Sequence, residues 1–254
     1  MVLQTIAGAA EKKAGLDTTA CFVLGVSAGC LIGLGACLMS MVGGASPGLA
    51  AANPGLSNFL KGAVGLPAGL GMVLLTGAEL STGNMFIMLT GVLANKISMA
   101  DFNKNILVSY LGNFVGSLLM AYLCFGANTA AAPAAKAAVM GIATVKCALP
   151  FTVAFCKGIV CNWLVGLAIW CATSTTSVVG KLVSIFWPIS LFVALGMEHS
   201  VANMFLIPHG ILNGAPVTWG QFMVNNLVPV TLGNFVGGMM FMAGIHYLAY
   251  GRNK

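Results

Sequence analysis

The chain has 254 residues, of which 59% are hydrophobic and 6% charged, and its mean hydropathy is +0.96. Soluble domains carry about 25% charged residues, so this composition excludes an ordinary soluble protein and indicates a polytopic membrane protein along nearly the whole length. The net charge of +6 comes without a basic run suited to a phosphate backbone, so we expect no nucleic-acid partner.

The first predicted element is a short amphipathic helix within residues 1–17. This segment lacks the basic stretch, apolar core and cleavage site of a signal peptide. We therefore expect it to lie before the first membrane span.

Six apolar segments follow, and most are long enough to cross a hydrocarbon core of about 30 Å. They cover about 20–42, 61 to beyond 78, 106–125, 147–172, 183–196 with a continuation, and 222–250. The sequence thus predicts an all-α membrane protein with six transmembrane helices.

One phrase occurs in both the second and the fifth segment. GAELSTGNMF (77–86) aligns without a gap with GMEHSVANMF (196–205), with identical Gly, Glu, Ser, Asn, Met and Phe. A carboxylate and an amide are costly in hydrocarbon unless they have partners or face a polar cavity. We therefore predict that these two helices are broken, and that the breaks form one transport site.

A second phrase supports the repeat, because LGNFVG occurs at 111–116 and again at 232–237. Three spans per repeat is an odd number, so the two halves must have opposite orientations in the membrane. The prediction is an aquaporin-like inverted repeat of three plus three helices, over about 18–126 and 145–250.

The placement of basic residues predicts the orientation. With the N-terminus in the cytoplasm, more of the basic residues lie inside than outside, in agreement with the positive-inside rule, and both termini are cytoplasmic. The inside set is Lys12, Lys13, Lys96, Lys104, Lys181, Arg252 and Lys254, the outside set is Lys61, Lys136 and Lys146, and Lys157 lies within the fourth span.

The residues at the breaks are the candidates for function. His199 can donate a hydrogen bond to a passing anion or exchange a proton with it, and Thr82 is its expected partner from the other half. We expect Glu79 and Glu198 to orient the loops by accepting backbone N–H groups, away from the pore. The amides Asn84 and Asn203 belong to the same loop-orienting set.

Other polar residues allow a structural and a functional interpretation. Asn113, Asn162 and Asn234 are interhelical hydrogen-bonding residues or pore residues. Lys146 is a snorkelling anchor or an attractor of anions at a pore mouth. His209 follows Pro208 and is expected in a short loop. The cysteines lie in or beside apolar segments without a C-x-x-C motif, so we expect packing roles and no cofactor.

Taken together, these motifs resemble the formate/nitrite transporter family over nearly the full length. The resemblance rests on the two break phrases, on KGIVCNWLV (157–165) and on LGN (232–234). It implies a single transmembrane channel domain over 1–254, assembled as a homopentamer in the cell membrane with one pore per protomer. It also implies small monovalent weak-acid substrates: formate, nitrite, hydrosulfide, acetate or lactate.

The resemblance also assigns pore residues. His199 matches the central pore histidine, Thr82 its partner, and Lys146 a lysine of the vestibule. Ser81 stands where the family usually has an aromatic residue, which changes the loop's polarity. Apolar constrictions on either side of His199 are matched by Leu66, Leu70, Leu80, Val165 and Phe192.

Two mechanisms and two other classes stay open at this stage. The substrate passes as a neutral acid with a proton, or as a bare anion past a charged His199. A neutral-solute channel of aquaporin type should show two Asn-Pro-Ala boxes, and Asn53-Pro54-Gly55 is not one. A structural or electron-transfer subunit should show paired histidines for haem.

Overall fold

The computed structural model describes residues 2–44 and 46–251, and its regular elements in these ranges are helices. The last helix is continuous but includes two stretches of π geometry, Phe222–Leu227 and Gly237–Gly244. The helices are α1 (Val2–Ala14), α2 (Thr18–Gly44), α3 (Pro47–Ala52), α4 (Pro54–Val64), α5 (Leu66–Thr76), α6 (Ser81–Leu93), α7 (Met99–Gly126), α8 (Pro133–Cys147), α9 (Phe151–Thr173), α10 (Val178–Ala194), α11 (Ser200–Leu212) and α12 (Trp219–Tyr250).

Five helical stretches of the described chain are long and apolar enough to cross a membrane: α2, α4 with α5, α7, α9 and α12. The shorter apolar helices α10 and α11 follow one another around a break and together make the remaining span. The second span likewise continues after its break as α6. The prediction of an all-helical membrane fold with broken second and fifth helices is confirmed.

The second span begins earlier than predicted, at Pro54 and not near Lys61. Asn53 caps it, because its Oδ1 accepts the N–H of Leu56 at 3.2 Å, and Pro54 occupies the first turn where its missing N–H costs nothing. The Asn-Pro-Gly stretch is therefore a helix start. The apolar pattern of the sequence did not reveal this helix start, because the first turns of α4 contain the polar residues Ser57 and Asn58.

The expected loop around His209 is absent from the structure. Helix α11 runs from Ser200 to Leu212 with Pro208 inside it, and His209 is buried at 1% exposure. Proline interrupts helices in water, but a helix enclosed by other helices can absorb the lost hydrogen bond. The prediction of a loop was wrong for this reason.

Glycines bring the first helix of each half against its third. A Cβ on Gly116 of α7 would lie 2.0 Å from the carbonyl oxygen of Val26 in α2. A Cβ on Gly237 of α12 would lie 2.2 Å from the carbonyl oxygen of Ile159 in α9. Both glycines end an LGNFVG phrase, so the repeated phrase builds the same backbone-to-backbone contact in both halves.

Gly116→Ala should lower stability, because its new methyl group forces α2 and α7 apart. We expect a loss of about 1–3 kcal/mol, the usual cost of overpacking, seen as a lower unfolding temperature of the detergent-solubilised protein. Gly126→Ala is the control, because a Cβ at that position meets nothing within 4 Å. Equal unfolding temperatures for the two variants would contradict the close-contact interpretation.

Candidate functional site

The two breaks have the same backbone geometry. Gly77 follows α5 with φ 73° and Gly196 follows α10 with φ 67°, in the left-handed region that favours glycine. The chain then becomes extended, and Leu80 and His199 occupy the N-cap positions of α6 and α11. The side chain before each second half-helix is therefore placed at the break itself.

Two asparagines, Asn113 and Asn234, hold the break loops in place. Asn113 Oδ1 accepts the N–H of Ser81 at 2.9 Å, and its Nδ2 donates to the carbonyl oxygens of Glu79 and Gly25, both at 2.8 Å. Asn113 thus ties the first loop to α2. These contacts give Asn113 a structural role as an interhelical hydrogen-bonding residue.

Asn234 makes the matching contacts in the second half. Its Oδ1 accepts the N–H of Ser200 at 2.9 Å, and its Nδ2 donates to the carbonyl oxygens of Glu198 at 3.0 Å and Gly158 at 2.8 Å. The sequence marked both asparagines through LGNFVG, but it could not say whether they face the pore or the loop.

The carboxylate of Glu198 is bound by an ammonium group and two amides. Lys146 Nζ donates to its Oε1 at 2.9 Å, and Nδ2 of Asn203 and of Asn226 donate to its Oε2 at 2.7 and 3.1 Å. Asn226 Nδ2 also donates to the carbonyl oxygen of Lys146 at 3.0 Å. Glu198 is 3% exposed, so this network compensates a buried charge.

Glu79 has the same arrangement at the other break. Lys13 Nζ donates to its Oε1 at 2.5 Å, and Nδ2 of Asn84 and of Asn105 donate to its Oε2 at 2.8 and 3.0 Å. The expectation that both carboxylates accept backbone N–H groups is wrong. The N–H of Glu79 and its neighbour Ser81 are taken by carbonyl and amide oxygens, which leaves the carboxylates for side chains.

Sequence reasoning missed Lys13, Asn105 and Asn226 as members of these networks. A signal was present, because the match around LGNFVG extends backwards as N-x7-N to Asn105 and Asn226. Lys13 and Lys146 both begin the pattern K-x-x-L-x-x-T. Aligning the two halves over their full length would have found all three residues.

His199 and Thr82 meet across the two halves, with 2.9 Å between Nε2 and Oγ1. His199 Nδ1 accepts the N–H of Ala202 at 3.0 Å. A ring whose Nδ1 accepts a hydrogen bond carries its proton on Nε2, so the hydrogen bonds assign the neutral tautomer that donates to Thr82. The ring also stacks on Phe192 with centroids 6.0 Å apart.

Asn162 lies beside this pair. Its Nδ2 donates to the carbonyl oxygens of Thr82 at 3.1 Å and Asn234 at 2.7 Å, whereas its buried Oδ1 has no protein partner among the described residues. A buried amide oxygen without a partner is costly in an apolar region. Asn162 thus keeps one buried acceptor that no described protein group uses.

The five apolar residues expected at constrictions on either side of His199 all line one small cavity beside it. The cavity measures about 10 Å³, and all five side chains are buried. Ile32 and Ile189, which were not predicted, complete its wall. The lining consists of Ile32, Leu66, Leu70, Leu80, Val165, Ile189, Phe192 and His199. There is too little room here for a hydrated ion.

A larger cavity of about 460 Å³ opens on the other side of Phe192 and His199. Lys61, Lys146 and Lys157 line it together with Glu198, and we call it the lysine cavity. Lys61 and Lys146, both predicted outside, therefore share one end of the molecule. Arg252 and Lys254, from the predicted inside set, are outside the described residues.

Ser81 is fully buried in the first turn of α6. Its counterpart Ser200 is also fully buried, and neither hydroxyl has a protein partner among the described residues. The two breaks therefore have the same buried serine at equivalent positions.

Comparison with known proteins agrees with this geometry. The family model described as formate/nitrite transporter matches residues 1–248. A probable formate transporter of Methanothermobacter thermautotrophicus is 40% identical over 258 residues, covering 95% of this chain and 92% of the relative. The nitrite transporter NirC of Salmonella typhimurium is 35% identical over 229 residues, covering 89% of this chain and 81% of the relative.

Solved structures give the same result. A structure described as an FNT family ion channel superposes with a TM-score of 0.89 at 33% identity, covering 98% of both chains. A structure described as a pentameric formate channel with formate bound superposes with a TM-score of 0.81 at 31% identity, covering 92% of this chain and 97% of the other. The chain is a multi-pass membrane protein and belongs to the formate/nitrite transporter family.

Proposed function

We propose that this protein conducts small monovalent weak-acid anions through a pore in each protomer, with formate, nitrite and hydrosulfide as first candidates and acetate and lactate as further ones. Relatives named as formate and nitrite transporters support this substrate class. By family the chain is a transporter and not an enzyme.

The observation that carries the proposal is that a basic cavity and an apolar constriction adjoin each other at His199. A cavity lined by three lysines leads to an apolar constriction whose cavity is about 10 Å³, and His199 is its polar lining residue. The lysines raise the local concentration of anions. The constriction then excludes hydrated ions, so a passing solute must exchange its water for the His199–Thr82 pair.

The substrate crosses this constriction as a neutral acid. A bare charge in an apolar region costs several kcal/mol, roughly the scale of charges inside membranes, whereas desolvation raises the pKa of a weak acid and favours its protonated form. His199 is neutral and donates through Nε2, so it can hydrogen-bond the acid. The proton comes from bulk water or through His199.

The remaining candidate residues take supporting roles in this proposal. Lys146 attracts the anion, and Asn162 offers its free Oδ1 to the acid's O–H. The networks of Glu79 with Asn84, and of Glu198 with Asn203, fix the two break loops, and Asn234 supports the second.

The proposed assembly follows the family, and the proposed orientation follows the positive-inside rule. We propose a homopentamer in the cell membrane, supported by the relative described as a pentameric formate channel. Both termini face the cytoplasm, so the lysine cavity opens outwards. The domain is a single transmembrane channel built from the inverted repeats.

Flux of formate into proteoliposomes of the purified protein tests the proposal. Influx should rise as the external pH falls, because protonated substrate becomes more abundant. It should not respond to a voltage imposed with potassium and valinomycin, because formate and a proton together carry no charge. Empty liposomes give the background of direct acid permeation.

Steady currents carried by formate, with influx independent of the proton gradient, would overturn the neutral-acid mechanism and leave an anion channel. Glycerol flux without any formate, nitrite or hydrosulfide flux would instead favour the neutral-solute channel. If the folded protein conducts none of these solutes, the interpretation as a structural subunit is favoured instead.

A further inference from the structure

The lysine cavity contains more positive charge than its own acid can balance. Lys61, Lys146 and Lys157 line it, and Glu198 is its acidic lining residue. Lys146 is paired with Glu198 at 2.9 Å. Among the described residues, the ammonium group of Lys61 donates to the amide oxygen of Asn58 at 3.4 Å and makes no ion pair, and Lys157 makes no ion pair either.

No other acidic side chain balances these lysines, because all five Asp and Glu side chains lie in the described residues and already have partners. Glu11, Glu79 and Glu198 pair with lysines, and Asp17 and Asp101 accept hydrogen bonds at the starts of α2 and α7. The lysine cavity therefore holds two ammonium groups without a counter-charge from the described part of the chain.

Lys157 lies close to the pore. It sits inside the fourth span on the side of the buried Ala154 and Cys161, and is half-buried. Its carbonyl oxygen accepts the N–H of Glu198 at 3.4 Å, which places its backbone beside the loop that carries His199. A cation at this depth is costly unless it faces a polar cavity or meets an anion.

The first half of the chain shows that the fold does not need a cation at the position equivalent to Lys157. Lys13 precedes Leu24 by the same spacing as Lys146 precedes Lys157. Leu24 makes the matching contact, since its carbonyl oxygen accepts the N–H of Glu79 at 3.1 Å. Lys157 and Leu24 therefore make the same backbone contact, but the side chain is charged in the second half of the repeat and apolar in the first.

We propose that Lys157 and Lys61 bind a small monovalent anion in the lysine cavity, before it reaches His199, and that the other end of the pore has no equivalent subsite. The cavity of about 460 Å³ has room for an anion with part of its hydration shell. Ammonium groups act on it as point charges and select for charge and size. This inference rests on the proposed function for its transport consequence, not for the binding itself.

A passive pore cannot change the equilibrium distribution of its substrate. Tighter capture at one end must therefore appear as a lower half-saturation concentration from that side, with a proportionally lower maximal rate. The protein should saturate at lower formate from the side of the lysine cavity than from the opposite side.

Binding is tested first, without transport. Excess line broadening of ¹³C-formate by the protein in zwitterionic nanodiscs reports the weak complex. Lys157→Met should weaken formate binding about three- to tenfold, the effect of one charge within a Debye length. Lys157→Arg keeps the charge and should bind as the wild type does. Lys136→Met is the matched control, because Lys136 is exposed in α8 and does not line the cavity.

Unchanged binding in Lys157→Met, or no excess broadening by the wild type, would overturn the subsite. If Lys157→Met does not fold, Lys61→Met removes the other uncompensated charge and must weaken binding in the same range.

Sided flux assays then separate this inference from the proposed function. In Lys157→Met the half-saturation concentration should rise about three- to tenfold from the cavity side and stay unchanged from the other side. Equal shifts from both sides would reject the one-sided subsite. Formate binding by a wild-type protein that conducts nothing would reject the proposed function and leave the subsite standing.

Discussion

His199→Ala should reduce formate flux roughly ten- to hundredfold. The imidazole of His199 is the polar group in the lining of the 10 Å³ constriction. Thr82 is not part of that lining, and its hydroxyl contacts Nε2 of the ring. One hydrogen bond to a charged or strongly polar solute is worth about 1.5–3 kcal/mol, and about 1.4 kcal/mol is a factor of ten in rate. Stopped-flow measurement of formate influx in proteoliposomes gives the loss directly.

His199→Asn separates the pore role from the structural one. His199 is also the N-cap of α11 through Nδ1, and an asparagine oxygen can accept the same N–H of Ala202. The asparagine variant should therefore unfold at the wild-type temperature and yet lose flux as the alanine variant does. If formate flux is lost only in the variant whose unfolding temperature falls, His199 acts only as a helix cap.

The sequence predicted the broken helices well because they carry a large energetic signal. Glu79 and Glu198 are the acids inside long apolar stretches, and such residues occur in membranes only where the fold compensates them. The partial repetition of the surrounding phrase, together with three spans in each half, then indicated the inverted symmetry. Both inferences need only a single sequence and the known energetic cost of burying a charge in a membrane.

The compensating partners could not be predicted in the same way. Lys13 and Glu79 lie 66 residues apart, and Lys13 is distinguished from its neighbour Lys12 only when the two halves are aligned through the pattern K-x-x-L-x-x-T. The wrong expectation for the carboxylates has the same origin, because the acceptors of the loop N–H groups, Asn113 and Asn234, come from other helices. Aligning the two halves marks these residues as equivalent, but only the assembled fold shows which groups they bind.

The missed helix around His209 has a different cause. Proline and histidine together are typical of a loop in soluble proteins, where water competes for the backbone. Inside a helical bundle no water is available, so the backbone keeps its helical hydrogen bonds wherever it can. The buried ring of His209, whose nitrogens lack protein partners among the described residues, follows from that continuity.

Glu198→Leu should destabilise the protein by about 3–5 kcal/mol, the usual cost of leaving one partner of a buried ion pair uncompensated. The change leaves Lys146 without its counter-charge at 15% side-chain exposure, and strands the amides of Asn203 and Asn226. Unfolding in detergent by heat or denaturant measures the loss. Glu11→Leu is the control, because its pair with Lys96 is about half exposed at 3.6 Å and should contribute almost nothing.

The double variant Glu198→Leu with Lys146→Met distinguishes structure from transport. Replacing both partners removes the uncompensated charge, so a large part of the lost stability should return, and the double-mutant cycle measures the coupling. Formate flux should not return with it, because the cavity has lost Lys146. Recovery of both properties together would show that Lys146 serves only to neutralise Glu198, whereas stability without flux assigns the ammonium group to the anion as well as to the fold.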